Sequence, residues 1–138
     1  RGNKGEGEIY YTNSTYLDVG ANINAIDRVK GEGVFHPLIE AGALTHVWLG
    51  ESKPPAESIA SFVKKTFYNT KNAQIAFSPE FTSCLDCQRT SRGLNDNCPY
   101  CASPNVEGIT RVTGFFSKIS SWNKGKRGEL KARRRTQL

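Results

Sequence analysis

The sequence contains no methionine and no apolar run long enough to cross a membrane. Its longest apolar stretch, residues 34–49, is interrupted by two histidines, a proline and a glutamate, whereas a spanning helix needs about 20 consecutive apolar residues. The first residues show no secretory signal pattern. Because the chain begins with Arg1, we expect it to be a processed product, a fragment or a truncated record of a longer protein.

Unbalanced charge is absent from most of the chain. Residues 124–135 carry seven Lys or Arg and one acid, so this segment alone accounts for the net charge of +6 in 138 residues. The neutral remainder argues against a broad nucleic-acid-binding face. No aromatic residue lies between the charges of the basic segment, although single-strand binders need such residues. A solvated terminus and a segment that docks on a protein are therefore the main interpretations.

Hydrophobic periodicity predicts an α/β body over residues 1–82. Strands are predicted at 9–19, 44–49 and 73–81, a long helix after Ser52 to about Asn69, and shorter helical segments at 22–29 and 35–41, with Gly31 and Gly33 in a turn. This part has too few strands to close a sheet, so we expect it to need neighbours that the sequence does not contain.

Cysteine occurs only between residues 84 and 101, in two Cys-x-x-Cys pairs. Each pair can supply two thiolates from one tight turn, and four thiolates suit tetrahedral zinc. The spacing therefore predicts a closed, structural zinc site formed by Cys84, Cys87, Cys98 and Cys101. Two disulfides would require an oxidising compartment, iron could take the same ligands, and a redox pair fits two facing motifs least well.

Single residues elsewhere carry weaker signals. His36 and His46 are predicted to be packed or hydrogen-bonded histidines and not ligands. Trp122 is predicted to be a buried anchor for the tail. Arg111 could brace the following loop by bonding a carbonyl or a carboxylate, or it could be solvated.

A glycine between β-branched and aromatic residues indicates, on composition alone, a strand bulge or a close approach. The segment Arg111-Val112-Thr113-Gly114-Phe115-Phe116, however, resembles the loop of glycyl-radical enzymes. It lies between the cysteine pairs and Ser121-Trp122-Asn123-Lys124-Gly125-Lys126-Arg127. This order resembles the C-terminus of the anaerobic (class III) ribonucleoside-triphosphate reductases. Residues 10–14 and 41–47 are also similar to the last part of that family's barrel.

The resemblance implies an α/β fold, a C-terminal fragment of a ten-stranded α/β barrel with a small four-cysteine zinc-ribbon module. Residues 1–82 would be the last strand–helix–strand part of the catalytic barrel and 83–106 the zinc ribbon. Residues 107–138 would be the glycyl-radical loop and the basic C-terminal tail, with Gly114 as the radical store. In the family this radical serves the reduction of ribonucleoside triphosphates to deoxyribonucleotides for DNA replication.

The resemblance also implies partners. An activating enzyme with an iron–sulfur cluster and S-adenosylmethionine would remove one hydrogen atom from Gly114. The radical would then pass to a cysteine of the barrel, which this sequence lacks, since it has no cysteine outside residues 84–101. We therefore expect the N-terminal barrel part of the reductase, the radical-SAM activating enzyme, the nucleotide substrate and a second copy of the complete enzyme as partners. No membrane partner is expected, and the cytoplasm is the expected location.

Two other functions remain open. A spare-part glycyl-radical protein, which completes a damaged enzyme, would lack the same cysteine. A stand-alone zinc-ribbon module could use the basic tail to contact nucleic acid, although the first 82 residues and the Gly114 loop fit that function poorly.

Overall fold

The computed structural model describes residues 3–5, 8–12 and 15–138. Within this part, the elements in chain order are β1 (Asn3–Gly5), β2 (Glu8–Tyr10), α1 (Ala25–Gly33), β3 (Thr45–Gly50), α2 (Ala56–Asn69), β4 (Ile75–Pro79), β5 (Phe81–Cys84), β6 (Thr90–Arg92), β7 (Val106–Arg111), β8 (Phe116–Lys118) and α3 (Lys124–Ala132). Single 3-10 turns occur at His36–Leu38 and Ile119–Ser121. No helix in the described residues has the length and apolar character that crossing a bilayer requires.

The body of the molecule is a β3–α2–β4 unit. β3 and β4 are parallel, with Thr45 opposite Ile75, and α2 provides the crossover between them. Phe62 of α2 packs edge-on against Phe77 of β4, with ring centroids 5.9 Å apart. The buried apolar cluster draws its members from α1, β3 and α2: Ala25, Val29, Val47, Leu49 and Phe62. The predicted strand–helix–strand order over this region is confirmed.

The segment before β3 differs from its prediction. The strand expected over residues 9–19 is only β2, and the helix expected at 22–29 continues to Gly33 as α1. Gly31 and Gly33 therefore lie inside a helix and not in a turn. The absence of a side chain at Gly33 lets Asn72 pack against α1, because a Cβ at this position would collide with the side chain of Asn72. Asn13 and Ser14, part of the segment likened to the family's barrel, lie outside the described residues.

An antiparallel sheet, in the order β6-β5-β7-β8, follows the body. The strand predicted at 73–81 divides in two, because Glu80 separates β4 from β5 and each belongs to a different sheet. The helix predicted at 35–41 is reduced to a 3-10 turn. Of the two expected segment boundaries, 82/83 lies inside β5 and 106/107 lies just after the first residue of β7.

The basic tail is folded, contrary to a solvated terminus. Asn123 caps α3 by accepting a hydrogen bond from the Lys126 backbone N–H. Beyond the helix, the N–H of Arg134 donates to the Val19 carbonyl at 2.8 Å, and the N–H of Thr136 donates to the Trp48 carbonyl at 2.7 Å. The tail therefore runs beside β3.

Buried acids neutralise two of the tail's arginines. Arg133 is 2% exposed, donates two hydrogen bonds to Glu129, and stacks 3.8 Å above the centre of the Trp48 ring. Arg135 donates two hydrogen bonds, of 3.1 and 2.8 Å, to one carboxylate oxygen of Glu80. The charge pattern that suggests a solvated or nucleic-acid-binding tail is therefore partly an internal ion-pair network.

Removing the Arg135–Glu80 pair should loosen the tail. We expect Arg135→Ala to lower the free energy of unfolding by about 1–3 kcal/mol, because Glu80 is buried and would lose charge-assisted hydrogen bonds. The neighbouring Arg134→Ala is the matched control and should change it by less than about 0.5 kcal/mol, since that side chain is exposed. Denaturant titration of both variants measures the difference. Equal effects would show that the pair contributes no specific stability.

Candidate metal centre and glycine hairpin

The two Cys-x-x-Cys turns have the same backbone conformation. In each, the N–H of the first cysteine donates to the carbonyl five residues later: Cys84 to Arg89 at 2.9 Å and Cys98 to Ser103 at 2.8 Å. The residue after the second cysteine of each turn has a φ of 58°, in the left-handed region. This repeated turn points both cysteines of a pair toward the same centre, so the two halves of the site match.

The four sulfur atoms converge. The Sγ atoms of Cys84 and Cys101 are 3.6 Å apart, as are those of Cys87 and Cys98, and all four lie within 4.8 Å of one another. A tetrahedron with metal–sulfur distances of about 2.3 Å has edges of about 3.8 Å, whereas a disulfide is about 2.05 Å long. The cysteines are therefore unlinked and can hold a tetrahedral metal such as zinc.

The thiols perturb one another strongly. Burial alone would raise the pKa of Cys98, but hydrogen bonds from the N–H groups of Tyr100 and Cys101 and contacts with neighbouring thiols lower this pKa to about 7. At Cys101 the Ser103 N–H favours the thiolate, yet burial and the three other thiols raise the pKa to about 12. Four thiols at this spacing cannot all ionise alone, and a divalent cation would compensate the charge.

Asp86 joins the two turns. Its carboxylate accepts a hydrogen bond from the Asn105 side chain at 2.7 Å and another from the Ser103 hydroxyl. The Ser103 bond, followed by that from Asn105, lowers the pKa of Asp86. The cysteine spacing alone does not predict this role of Asp86, although an acid inside a Cys-x-x-Cys turn is a usable signal for a supporting contact.

Gly114 lies at the tip of the hairpin that joins β7 to β8. The N–H of Val112 donates to the Phe115 carbonyl at 3.1 Å and closes the turn. The Arg111 guanidinium donates to the Gly114 carbonyl and stacks 4.5 Å from the centre of the Phe116 ring. Of the two interpretations of Arg111, bracing the loop is the correct one.

β7 connects the metal centre to the hairpin. Its first residue, Val106, is opposite Cys84 in β5, and its last, Arg111, is opposite Phe116 in β8. The six residues of β7 span about 20 Å. Trp122 is buried behind β8 and donates its indole N–H to the Ser117 hydroxyl at 2.7 Å, which confirms it as an anchor.

The described fold gives no steric reason for a glycine at position 114. A Cβ there would meet nothing within 4 Å, and the φ of Gly114 is outside the left-handed region. Gly50 is the contrast, since its φ is +59° and a Cβ would lie 2.7 Å from Cγ of Arg135. Among the described residues, Gly114 therefore forms neither a bulge nor a close approach.

A small cavity of about 10 Å³ lies under the hairpin, lined by Val112 and Thr113 together with His46, Lys126 and Glu129 among others. His46 is 4% exposed and its Nδ1 is 3.0 Å from the Ser78 hydroxyl. Burial, followed by the charge of Arg133, lowers the pKa of His46 to about 4. His46 is therefore neutral near pH 7. His46 is therefore packed and hydrogen-bonded, as the sequence predicts. His36 agrees with the same prediction, because its Nδ1 accepts a hydrogen bond from the Ala73 N–H.

Sequence reasoning did not find the charged cluster of Lys126, Glu129 and Arg133 beside this cavity. Glu129 pairs with both cations and is 5% exposed. Its sequence signals are its position as the single acid in residues 124–135 and its i,i+3 and i,i+4 spacing from Lys126 and Arg133.

Comparison with known proteins identifies the family. The sequence profile of the family described as anaerobic ribonucleoside-triphosphate reductase matches residues 2–135, so the chain belongs to that family. The chain is 27% identical to the anaerobic ribonucleoside-triphosphate reductase of Escherichia coli K12 and 29% identical to that of Haemophilus influenzae. Each alignment covers 90% of this chain and 18% of the relative.

Solved structures of anaerobic ribonucleotide reductases share the fold of this chain. A structure titled anaerobic ribonucleotide reductase superposes with a TM-score of 0.68 at 25% identity, over 88% of this chain and 19% of that one. The Thermotoga maritima anaerobic ribonucleotide reductase, solved with dATP and CTP, gives a TM-score of 0.61 at 23% identity, over 82% and 18%. The chain thus spans about a fifth of the length of the relatives it matches.

The cysteine cluster should bind one zinc ion per chain. We expect Cys98→Ser to weaken binding by more than about 100-fold, because a tetrahedral site would lose one thiolate. Asn97→Ser, at the exposed neighbouring position, is the matched control and should bind as the wild type does. Elemental analysis and competition with a chelator measure both. Metal-free protein, or two disulfides in protein from reducing conditions, would contradict the prediction.

The two glycines should respond oppositely to alanine. Gly114→Ala should leave the free energy of unfolding unchanged or raise it by up to about 1 kcal/mol, because nothing crowds the new Cβ and the unfolded chain loses freedom. Gly50→Ala should lower it by at least about 1 kcal/mol, because of its left-handed φ and the contact with Arg135. Thermal and denaturant unfolding test the pair. Destabilisation by Gly114→Ala would mean that the fold itself requires this glycine.

Proposed function

We propose that this chain is the radical-bearing C-terminal part of an anaerobic ribonucleotide reductase and that Gly114 stores the radical. The observation that carries this proposal is a glycine at an exposed hairpin tip, in a member of this family, for which the described residues show no steric or conformational need. A residue that the fold does not require is best explained by its chemistry.

The chemistry requires an α-carbon that can become planar. Loss of one hydrogen atom from Gly114 leaves a radical that is delocalised between the amide nitrogen and the carbonyl, and a Cβ would disfavour the planar form. The Arg111 guanidinium already donates to the Gly114 carbonyl oxygen. A charged donor at that oxygen draws electron density toward the carbonyl. Arg111 would therefore both hold the hairpin and stabilise the delocalised radical.

The cysteine cluster has a structural role in this proposal. Four protein ligands leave no open position for substrate or water, so a bound zinc ion would be closed and not catalytic. Its ligand Cys84 lies on β5, which pairs with β7, the strand that leads to the hairpin. The metal would thus fix the sheet that carries Gly114.

The complete reaction would need parts that this chain does not contain. A radical-SAM activating enzyme, which carries the iron–sulfur cluster and S-adenosylmethionine, would take the hydrogen atom from Gly114. An N-terminal barrel part would supply the thiyl cysteine and bind the ribonucleoside triphosphate, in a homodimer of the complete enzyme in the cytoplasm. The product would be deoxyribonucleotides for DNA replication. Residues 1–82 would form the last part of the barrel, 83–106 the zinc ribbon and 107–138 the radical hairpin and tail.

Of the alternatives, a nucleic-acid-binding module is disfavoured by the internal pairing of Arg133 and Arg135 with buried acids. A spare-part protein would use the same glycine chemistry with a different partner chain. A neighbouring reading frame that encodes the barrel and its cysteine would favour a split reductase.

Electron spin resonance tests the radical directly. After anaerobic activation in the complete enzyme, the chain should give a doublet split by the one hydrogen left on the Gly114 α-carbon. Deuterium at the glycine α-carbon should collapse that splitting, and air should then cleave the chain at Gly114 and release residues 115–138. Gly114→Ala should give neither signal nor cleavage while its zinc content stays unchanged. A doublet that persists in Gly114→Ala, or cleavage at Gly108 or Gly125, would refute the assignment.

A further inference from the structure

A groove of about 420 Å³ lies beside the Gly114 hairpin, between the start of α2, β4 and the antiparallel sheet. Its apolar walls are Leu49, Pro54, Ile59, Phe77, Pro79, Phe81 and Phe116. Its charged lining residues are Lys53, Arg92 and Arg111, and none of the lining residues is an acid. The neighbouring cavity, by contrast, contains Glu51 and Glu80.

The two arginines are held on aromatic rings. Arg92 lies 5.6 Å from the centre of the Phe81 ring and Arg111 lies 4.5 Å from that of Phe116, and the two rings are 6.1 Å apart. An arginine stacked on a ring keeps the edge of its guanidinium free to bind a carboxylate with two hydrogen bonds. The groove therefore combines an apolar slot with fixed, oriented cations.

These cations have no carboxylate partner among the described residues. Arg92 donates to the Ser52 carbonyl at 2.9 Å, and Arg111 donates to the Gly114 carbonyl. The Nε of Arg111 is buried and has no hydrogen-bond partner in the described part of the chain. Because this atom is buried, an incoming carboxylate would meet the other nitrogens of Arg111 and not Nε.

We infer that this groove docks an acidic segment of the protein that activates Gly114, with an apolar side chain among Phe77, Phe81 and Phe116 and carboxylates on Lys53, Arg92 and Arg111. This inference rests on the proposed function. A protein that reaches the α-carbon of Gly114 must also approach Arg111 and Phe116, which flank the turn and line the groove. The absence of acids from the groove lining selects for negative charge in that protein.

Docking would also hold the hairpin in place. A carboxylate on the second terminal nitrogen of Arg111 would leave Nη1 on the Gly114 carbonyl, so the hairpin would keep its brace while the partner is bound. Charge complementarity of this kind acts mainly on the association rate and weakens with added salt.

Charge reversal tests the groove. The complete enzyme would carry Lys53→Glu with Arg92→Glu, or as a matched control Lys64→Glu with Lys65→Glu, two exposed lysines of α2 that do not line the groove. Affinity for the purified activating enzyme is measured anaerobically by biolayer interferometry at two salt concentrations, and radical yield by the glycyl doublet. We expect at least about 10-fold weaker binding for the double variant, a lower yield at limiting activating enzyme, and wild-type values for the control.

The outcomes separate this inference from the proposed function. Wild-type binding and yield in the double variant, with a normal doublet, would overturn the groove inference and leave the function standing. Equal losses in the control with Lys64→Glu and Lys65→Glu would also overturn it, because the effect would then come from net charge and not from the groove. Loss of binding to the barrel part or to a ribonucleoside triphosphate, with the activating enzyme bound normally, would assign the groove to that ligand. No doublet in the wild type would instead refute the proposed function.

Discussion

The convergence of four cysteine sulfurs within 4.8 Å is the contact on which the second half of the structure depends. The buried apolar cluster lies in the body, with members from α1, β3 and α2, and neither these members nor the partly buried side chains packed against them come from residues 81–118. The antiparallel sheet therefore has little apolar burial to offset the entropy of ordering it. A small sheet in that position needs a cross-link, and a metal held by four thiolates would supply one.

A second constraint joins this sheet to the body and the tail. Glu80 is the single residue between β4 and β5. Its N–H donates to the Gly50 carbonyl at 2.8 Å, and its carbonyl accepts the Gly93 N–H at 2.9 Å. Its carboxylate holds Arg135 of the tail. The buried Glu80 thus joins three parts of the structure: the end of β3, the residue that follows β6, and the C-terminal tail. Together with the hydrogen bond from the Thr110 hydroxyl to the Pro79 carbonyl, these bonds link the sheet that carries the Gly114 hairpin to the body.

The sequence predicts those features that local patterns encode. Helical spacing and two prolines predict α2, apolar β-branched runs predict β3 and β4, and the cysteine spacing predicts the metal centre. Helix α3 is not predicted because its buried positions include the charged Glu129, which is followed by the buried Arg133. These two charges pair locally, but only the fold places the Trp48 ring over Arg133. The sequence does not predict that α1 continues to Gly33, because this glycine is needed for the close contact with Asn72, a residue distant in sequence. The space around Gly114 is likewise a property of packing that no local pattern shows.

A metal ion held by the four cysteines would order the sheet that presents Gly114. Amide hydrogen exchange with and without the metal tests this most directly. Removing the metal should raise exchange rates on β5, β7 and β8 on the order of 100-fold, while the amides of α2 keep their protection, since that helix packs on the apolar core. Unchanged protection of β7 and β8 without the metal would contradict the account. So would equal loss of protection in α2, because the sheet would then not be a separate, metal-dependent unit.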